Sequence, residues 1–321
     1  MFIYGELTNN GTIQANSGAF YWTAVAPPQG GNGFGLFGGG GNNTSTISTT
    51  SIYTYSNNTA SVGTNLSYVK YEHAAAGNAV LGVFGGGSYS GDYTPTSSTS
   101  IYTYSNNAST TGTNLSNAAC YLAAAGNTSI GVYGGGYGGS GYATSIYTYS
   151  NNAVASGTNL SYAANNLAAT GNATLSVFGD GADTSNGSIL STTSIYTYSN
   201  NAVTAGTNLS YVKYAPAATG NSSVGVFGGG SLVGGGGYST TSIYTYSNNT
   251  ATAGTSLSYA AYALAATGNT SIGVYGGGYG GSGSVSTTSI YTYSNNAVAS
   301  GTNLSYVAYY LAATSSSPGW N

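Results

Sequence analysis

Charge is what this chain lacks. Only 2% of its 321 residues are charged, against about 25% in an ordinary soluble domain. There is no Arg, the only cations are Lys70 and Lys213, and the only acids are Glu6, Glu72, Asp92, Asp180 and Asp183. Two cations cannot neutralise a track of phosphates, which excludes electrostatic nucleic-acid binding. They also leave trypsin-like proteases almost nothing to cut. The single Cys120 rules out an intramolecular disulfide. No window approaches 18 consecutive apolar residues, so no membrane insertion is expected. The start Met1-Phe-Ile-Tyr-Gly-Glu lacks the basic lead and unbroken apolar run of a secretory signal.

Those gaps also empty most catalytic constellations. His73 is the only imidazole, too few for a nucleophile–base network that no serine motif accompanies, or for a His-rich metal site. Paired carboxylates for glycoside hydrolysis must face each other, whereas Asp180 and Asp183 share one loop. Calcium wants six to eight oxygens with several carboxylates. Gly-rich runs such as Tyr137-Gly-Gly-Ser-Gly141 lack the Lys and helix of a phosphate loop. The expectation is a protein that is not an enzyme and takes no cofactor.

What the chain has is repetition. Ser-Ile-Tyr-Thr-Tyr-Ser-Asn-Asn begins at Ser51, Ser100, Ser145, Ser194, Ser242 and Ser289, and an apolar run ending in glycine keeps the same step. A period of 45 to 49 residues means one supersecondary unit that buries its faces against its neighbours. The second repeat shows the plan. Ser67 to Ala76 is a first strand, Gly77-Asn78 a turn that supplies positive φ, and Ala79 to Phe84 an apolar second strand closed by Gly85-Gly86-Gly87. After a Gly/Ser/Tyr-rich loop come a third strand, Ser100 to Ser105, and a fourth running toward Gly112-Thr-Asn-Leu-Ser116. Four short strands per unit and no helical period predict an all-β propeller spanning 1–321 as a single domain. Seven first strands and six second strands can be counted. That favours seven four-stranded blades, with partial strands in 1–19 closing the ring against 306–321; six blades is the alternative.

A di- or tri-glycine closing the second strand and a Tyr on the third, at this period, resemble kelch repeats, from Phe20 to Thr314. The fourth strand carries Gly-Thr-Asn-Leu-Ser where kelch repeats usually carry Trp, and no Arg stands near the first. The phrase Tyr-Ser-Asn-Asn…Gly-Thr-Asn-Leu-Ser resembles kelch-type proteins of bacteria and their phages. The resemblance implies a propeller. Its copper-oxidase branch would need several His ligands, and sialidase-like propellers would need arginines, none of which this chain has.

Two groups of residues are candidates for recognition. Tyr89, Tyr93, Tyr137, Tyr142, Tyr238 and Tyr279 lie in or beside the variable loops between second and third strands, and Tyr with Gly and Ser makes adaptable binding surfaces. Lys70 and Lys213 hold one repeat position three units apart, so that with Glu72 and His73 they could form a polar girdle in the channel; local pairing of Lys70 with Glu72 is the simpler alternative. The expected function is a structural and recognition protein of a phage-like virion, as decoration, fibre or tail-associated propeller. Its partners would be neighbouring structural proteins in a homo- or hetero-oligomeric assembly, and host-surface glycans. The alternative is a bacterial cell-surface or extracellular adhesin or sheath protein.

Overall fold

A computed structural model describes residues 33–89, 94–232 and 235–319, and the backbone course of 12–16 and 19–23. All regular structure among them is β-strand, arranged as a propeller of six four-stranded antiparallel blades. Blade 2 shows the order from the axis outward: Tyr71–Gly77, Leu81–Ser88, Thr99–Thr103, Ala108–Gly112. Blades 3 to 6 repeat it, with inner strands Ala123–Gly126, Ala168–Gly171, Ala217–Gly220 and Ala265–Gly268.

The ring closes at six, not at the favoured seven. Blade 1 takes Phe34–Gly38, Thr50–Thr54 and Thr59–Gly63 from the start of the chain, and its inner strand, Ala312–Ser315, from the end. Leu36 pairs with Thr314 and Gly38 with Ala312 in that junction. The seventh first strand therefore completes a blade instead of adding one. Residues 12–16 and 19–23 pair with each other as a separate two-stranded antiparallel sheet, and the remainder of the expected N-terminal contribution, 1–11 and 17–18, lies outside the described residues. The sequence contains the physical reason. Inner strands read Ala-Ala-Thr-Gly or Ala-Ala-Ala-Gly because six of them converge on the axis; Ala312-Ala-Thr-Ser fits that rule, and Ala19-Phe-Tyr-Trp-Thr does not.

Six apolar clusters follow, one between each pair of neighbouring blades. Val132, Leu160, Phe178 and Tyr196 form the one joining blades 3 and 4. The third-strand phrase supplies much of each interface. Its first Tyr is buried (Tyr53, Tyr102, Tyr147, Tyr196, Tyr244, Tyr291), and the Thr two residues before the Ile caps the fourth-strand end, as Thr50 Oγ1 donating to Thr64 O at 2.9 Å. The second Asn adopts a left-handed conformation, φ 53 to 60° in all six copies, which Asn tolerates better than most residues. Its side chain crosses to the preceding blade and accepts from Thr158 N at Asn201 (3.1 Å), Thr207 N at Asn249 (2.9 Å) and Thr302 N at Asn58 (2.8 Å). One dipeptide thus ends a hairpin and ties two blades together.

The second Tyr of the phrase reaches inward to a Thr on the preceding blade's inner strand. Tyr55 meets Thr267 at 3.0 Å, Tyr104 meets Thr314 at 3.1 Å, Tyr246 meets Thr170 at 3.1 Å and Tyr293 meets Thr219 at 3.0 Å. In front of blade 3 that Thr is Ala76, and the buried Tyr149 hydroxyl has no partner. A buried hydroxyl without a partner is destabilising, and a normal hydrogen bond contributes about 1 kcal/mol. Ala76→Thr is therefore expected to stabilise the ring by about 1 kcal/mol in denaturant titration. Adding Tyr149→Phe should erase that gain.

Candidate functional site

The segments leading into the inner strands, together with the start of the blade 2 inner strand, meet around the axis. One residue of each has positive φ, between 49° and 61°: Glu72, Tyr121, Asn166, Ala215, Ala263 and Tyr310. That conformation turns each N–H to the carbonyl of its counterpart in the preceding linker. Tyr121 N donates to Glu72 O (2.8 Å), Asn166 N to Tyr121 O (2.9 Å) and Ala215 N to Asn166 O (3.0 Å). Ala263 N, Tyr310 N and Glu72 N continue the circuit to Ala215 O, Ala263 O and Tyr310 O at 2.8, 2.7 and 3.0 Å. A closed collar of six backbone hydrogen bonds results. Each side chain of the collar stands at the rim of the channel.

Below the collar, alanines of the inner strands wall a cavity of about 110 Å³. Further down, Thr314, Ser315, Pro318 and Gly319 border a second cavity of about 80 Å³. Gly319 lies against the Gly220 carbonyl of blade 5, so residues 316–319 cross the far end of the axis. The collar end of the channel forms a cup.

Tyrosines ring its mouth. Tyr121 and Tyr310 meet edge-on at 5.2 Å between centroids, Tyr309 and Tyr310 lie 5.6 Å apart, Tyr279 and Tyr309 5.8 Å, and Tyr262 and Tyr279 5.4 Å. Beside them opens a groove of about 630 Å³, where Tyr137, Tyr214 and Tyr262 face Asn165, Asp183 and Ser231. Asp183 Oδ1 accepts from Ser185 N (2.7 Å) and Oγ (2.6 Å), which holds its carboxyl below the usual range and ionised at neutral pH.

Glu72 is the acidic group of the collar. It is 3% exposed, and burial raises its carboxyl to about 7 despite donation from Tyr121, Cys120 and Ser88. Burial, and then the neighbouring Glu72, pushes the Cys120 thiol up to about 12, so it is no nucleophile at neutral pH. His73 fills the position that four of the other five segments give to leucine (Leu122, Leu167, Leu264, Leu311) and the fifth to Pro216. Burial first and Lys70 second lower it to about 3, leaving a neutral ring packed over Gly39.

The structure divides the expected channel girdle. Glu72 and His73 line the cup; Lys70 and Lys213 do not. Lys70 Nζ donates to Ser98 O and lies 5.2 Å from the Tyr68 ring and 5.6 Å from Tyr89. Lys213 Nζ donates to Thr240 Oγ1 and lies 5.6 and 4.9 Å from Tyr211 and Tyr238. In three linkers with Ala at the lysine position, the Tyr two residues earlier turns in and caps a glycine-turn carbonyl. Tyr259 reaches Gly277 O at 2.9 Å, Tyr162 Asp180 O at 3.2 Å and Tyr306 Gly39 O at 3.3 Å. In the two lysine linkers the ammonium donates to a different acceptor, Ser98 O or Thr240 Oγ1, and the Tyr two residues earlier lies beside it. Lys70 and Lys213 are thus hydrogen-bond donors held under tyrosine rings outside the channel lining. Lys213 also faces Asp180, which replaces the middle glycine of its turn and is raised well above the carboxylate range by burial, with Lys213 opposing.

Burial lowers Lys70 to about 7. Its unfolded-state value is near 10.4, so between about pH 7 and 10 the unfolded chain binds the extra proton and stability rises with pH. Lys70→Met should remove this contribution. The expected stability difference, wild type minus variant, grows by about 2 kcal/mol between pH 7 and pH 9, at about 1.4 kcal/mol per unit; a constant difference in urea titrations would count against it.

Of the loop tyrosines expected to bind, Tyr137 (53% exposed) borders the groove and Tyr279 joins the aromatic rim. Tyr89 and Tyr238 cover the lysines, Tyr142 is exposed and accepts from Leu160 N through its carbonyl, and Tyr93 lies outside the described residues. Sequence reasoning missed Tyr121, Tyr214, Tyr262, Tyr309 and Tyr310. Their signal is a variable pair (Tyr71-Glu72, Cys120-Tyr121, Asn165-Asn166, Tyr214-Ala215, Tyr262-Ala263, Tyr309-Tyr310) inside an otherwise constant linker.

Among the described residues, no group of three or more His, Cys, Asp or Glu could hold a metal ion. No family model matches the chain, and no curated protein matches it.

Proposed function

We propose that this propeller is a non-enzymatic recognition protein that binds glycans across its tyrosine-lined face, as a structural component of a phage-like particle. The continuous run of rings from Tyr121 through Tyr310, Tyr309 and Tyr279 to Tyr262, beside a groove carrying Asn165, Asp183 and Ser231, supports the reading. Aromatic faces stack on the apolar faces of sugar rings, while nearby amide, carboxylate and hydroxyl groups meet their hydroxyls. The rigid collar holds those rings in place before the ligand arrives, which lowers the ordering cost of binding. Hydrolysis would need a second carboxyl opposing Glu72, and Asp183 stands instead in the groove with Ser185 upon it. Low charge suits a subunit packed among neighbours, because repulsion gives it little protection when free.

A glycan array probed with the full chain tests the binding. Saturable binding that falls at least tenfold in Tyr262→Ala and Tyr137→Ala but persists in Tyr89→Ala is expected. Absence of any glycan signal, or equal binding by all variants, would overturn it. The particle assignment is tested by mass spectrometry of washed phage particles, where stoichiometric recovery is expected and recovery only from host cell surfaces would refute it.

A further inference from the structure

Among the unpartnered buried atoms of residues at the cup, acceptors outnumber donors three to one: Glu72 Oε1, Asn166 Oδ1 and one ring nitrogen of the neutral His73, against the N–H of its other ring nitrogen. Glu72 Oε1 and Asn166 Oδ1 are buried and meet no hydrogen-bond partner, although their residues are only 3% and 5% exposed. The Asn166 amide is oriented by its own Nδ2, which donates to Asn165 Oδ1 at 3.0 Å, so its oxygen is the atom left over. Both residues line the same cavity, together with Tyr121 and Tyr310. Neither lysine serves them, since each ammonium is already held by Ser98 or Thr240 under its own tyrosines.

A carboxylate and an amide oxygen beside aromatic rings define a particular guest. It must donate several hydrogen bonds and gain from ring faces. An ammonium has three donors and no acceptor, and cation–π attraction adds to its binding. A metal ion is a poorer fit, because calcium would ask for six to eight oxygens. The cavity of about 110 Å³ holds a small head group and not a whole sugar chain.

We propose that the axial cup is a site for a primary ammonium group, held between Glu72, Asn166 and the Tyr121 and Tyr310 rings. On the glycan reading of this face, on which the choice of carrier rests, that group is the amine of an amino sugar whose remaining rings extend over the tyrosines. Binding follows the charge of Glu72. The groups facing that carboxyl are Tyr121, Cys120 and Tyr310, whose ionisations all lie above the neutral range, and the neutral His73 beside it in the chain. Since burial holds Glu72 at about 7, affinity for n-butylammonium, which stays protonated throughout, should rise as pH increases from 6 to 8 and the carboxylate forms.

Calorimetric titration of the full chain at pH 7 with n-butylammonium, glucosamine and N-acetylglucosamine, with a pH series for n-butylammonium, tests the site. The first two are expected to bind, N-acetylglucosamine at least tenfold more weakly than glucosamine, and Glu72→Gln to lose at least tenfold for both amines. Asn166→Ala, a second variant, should weaken the amines as well, which keeps the test decisive if Glu72→Gln fails to fold. Equal affinity for glucosamine and its N-acetyl form, no butylammonium binding, or a flat pH profile would overturn the proposal. Butylammonium binding that depends on Glu72, in a chain that binds no glycan on an array, would keep the ammonium site and dismiss the sugar as its carrier.

Discussion

A chain that ends at Leu311 is expected to lose its cooperative unfolding transition. The missing residues, Ala312–Ser315, are the inner strand of blade 1. Without them Phe34–Gly38 becomes an open edge, and Leu36 and Phe37, both fully buried in the ring, lose cover on one side. Three further ties go with the strand: Tyr104 to Thr314 (3.1 Å), Tyr55 to Ser315 (3.0 Å) and Phe34 N to Ser316 Oγ (2.9 Å). A repeat array draws its stability from neighbour interfaces, and opening the ring removes one interface while exposing an aggregation-prone edge. Calorimetry should show a broad or absent transition, and size-exclusion chromatography should show aggregates. Removal of residues 1–32 is the complementary experiment and should leave the transition sharp. The reverse pattern would place closure in the N-terminal segment.

The second large effect is expected at Phe178. This side chain is fully buried at the interface of blades 3 and 4, against Leu160, Leu167 and Tyr196. Phe178→Ala removes a ring from a packed interface and should cost about 3–5 kcal/mol. Phe178→Tyr should be nearly neutral, which is informative because a buried hydroxyl is ordinarily costly. At the same repeat position Tyr133 donates to Val83 O at 2.6 Å and Tyr275 to Val226 O at 2.7 Å, each in the preceding blade. Blade 3 offers Val132 in that place, so the new hydroxyl finds an acceptor. Urea titrations check both variants; equal losses would mean that the blades are not interchangeable at this position.

The propeller was legible because its determinants are local and repeated. Tyr-Ser-Asn-Asn encodes a hairpin with a left-handed residue, Gly-Asn another, and the glycine run a sharp exit from the second strand. The blade count was harder. It depends on which of seven first-strand candidates takes the inner place of blade 1, and only the axial crowding that selects Ala312-Ala-Thr-Ser decides. Repeat equivalence put Lys70 and Lys213 at one position correctly, yet it could not say that each ammonium would turn away from the axis to Ser98 O or Thr240 Oγ1. The collar was illegible for a related reason. Glu72, Tyr121, Asn166, Ala215, Ala263 and Tyr310 share no residue type; they share a backbone conformation, imposed by the hydrogen-bonded circuit around the axis.

Hydrogen exchange of the full chain, with and without a β-1,4-linked glucosamine trimer, tests most directly the claim that the collar face is the recognition surface. Slowed exchange is expected in peptides covering 119–121, 165–166, 213–215 and 309–310, with the turns at 78–80 and 104–107 on the opposite face unchanged. Protection confined to those opposite turns, or none anywhere at saturating trimer, would contradict the account.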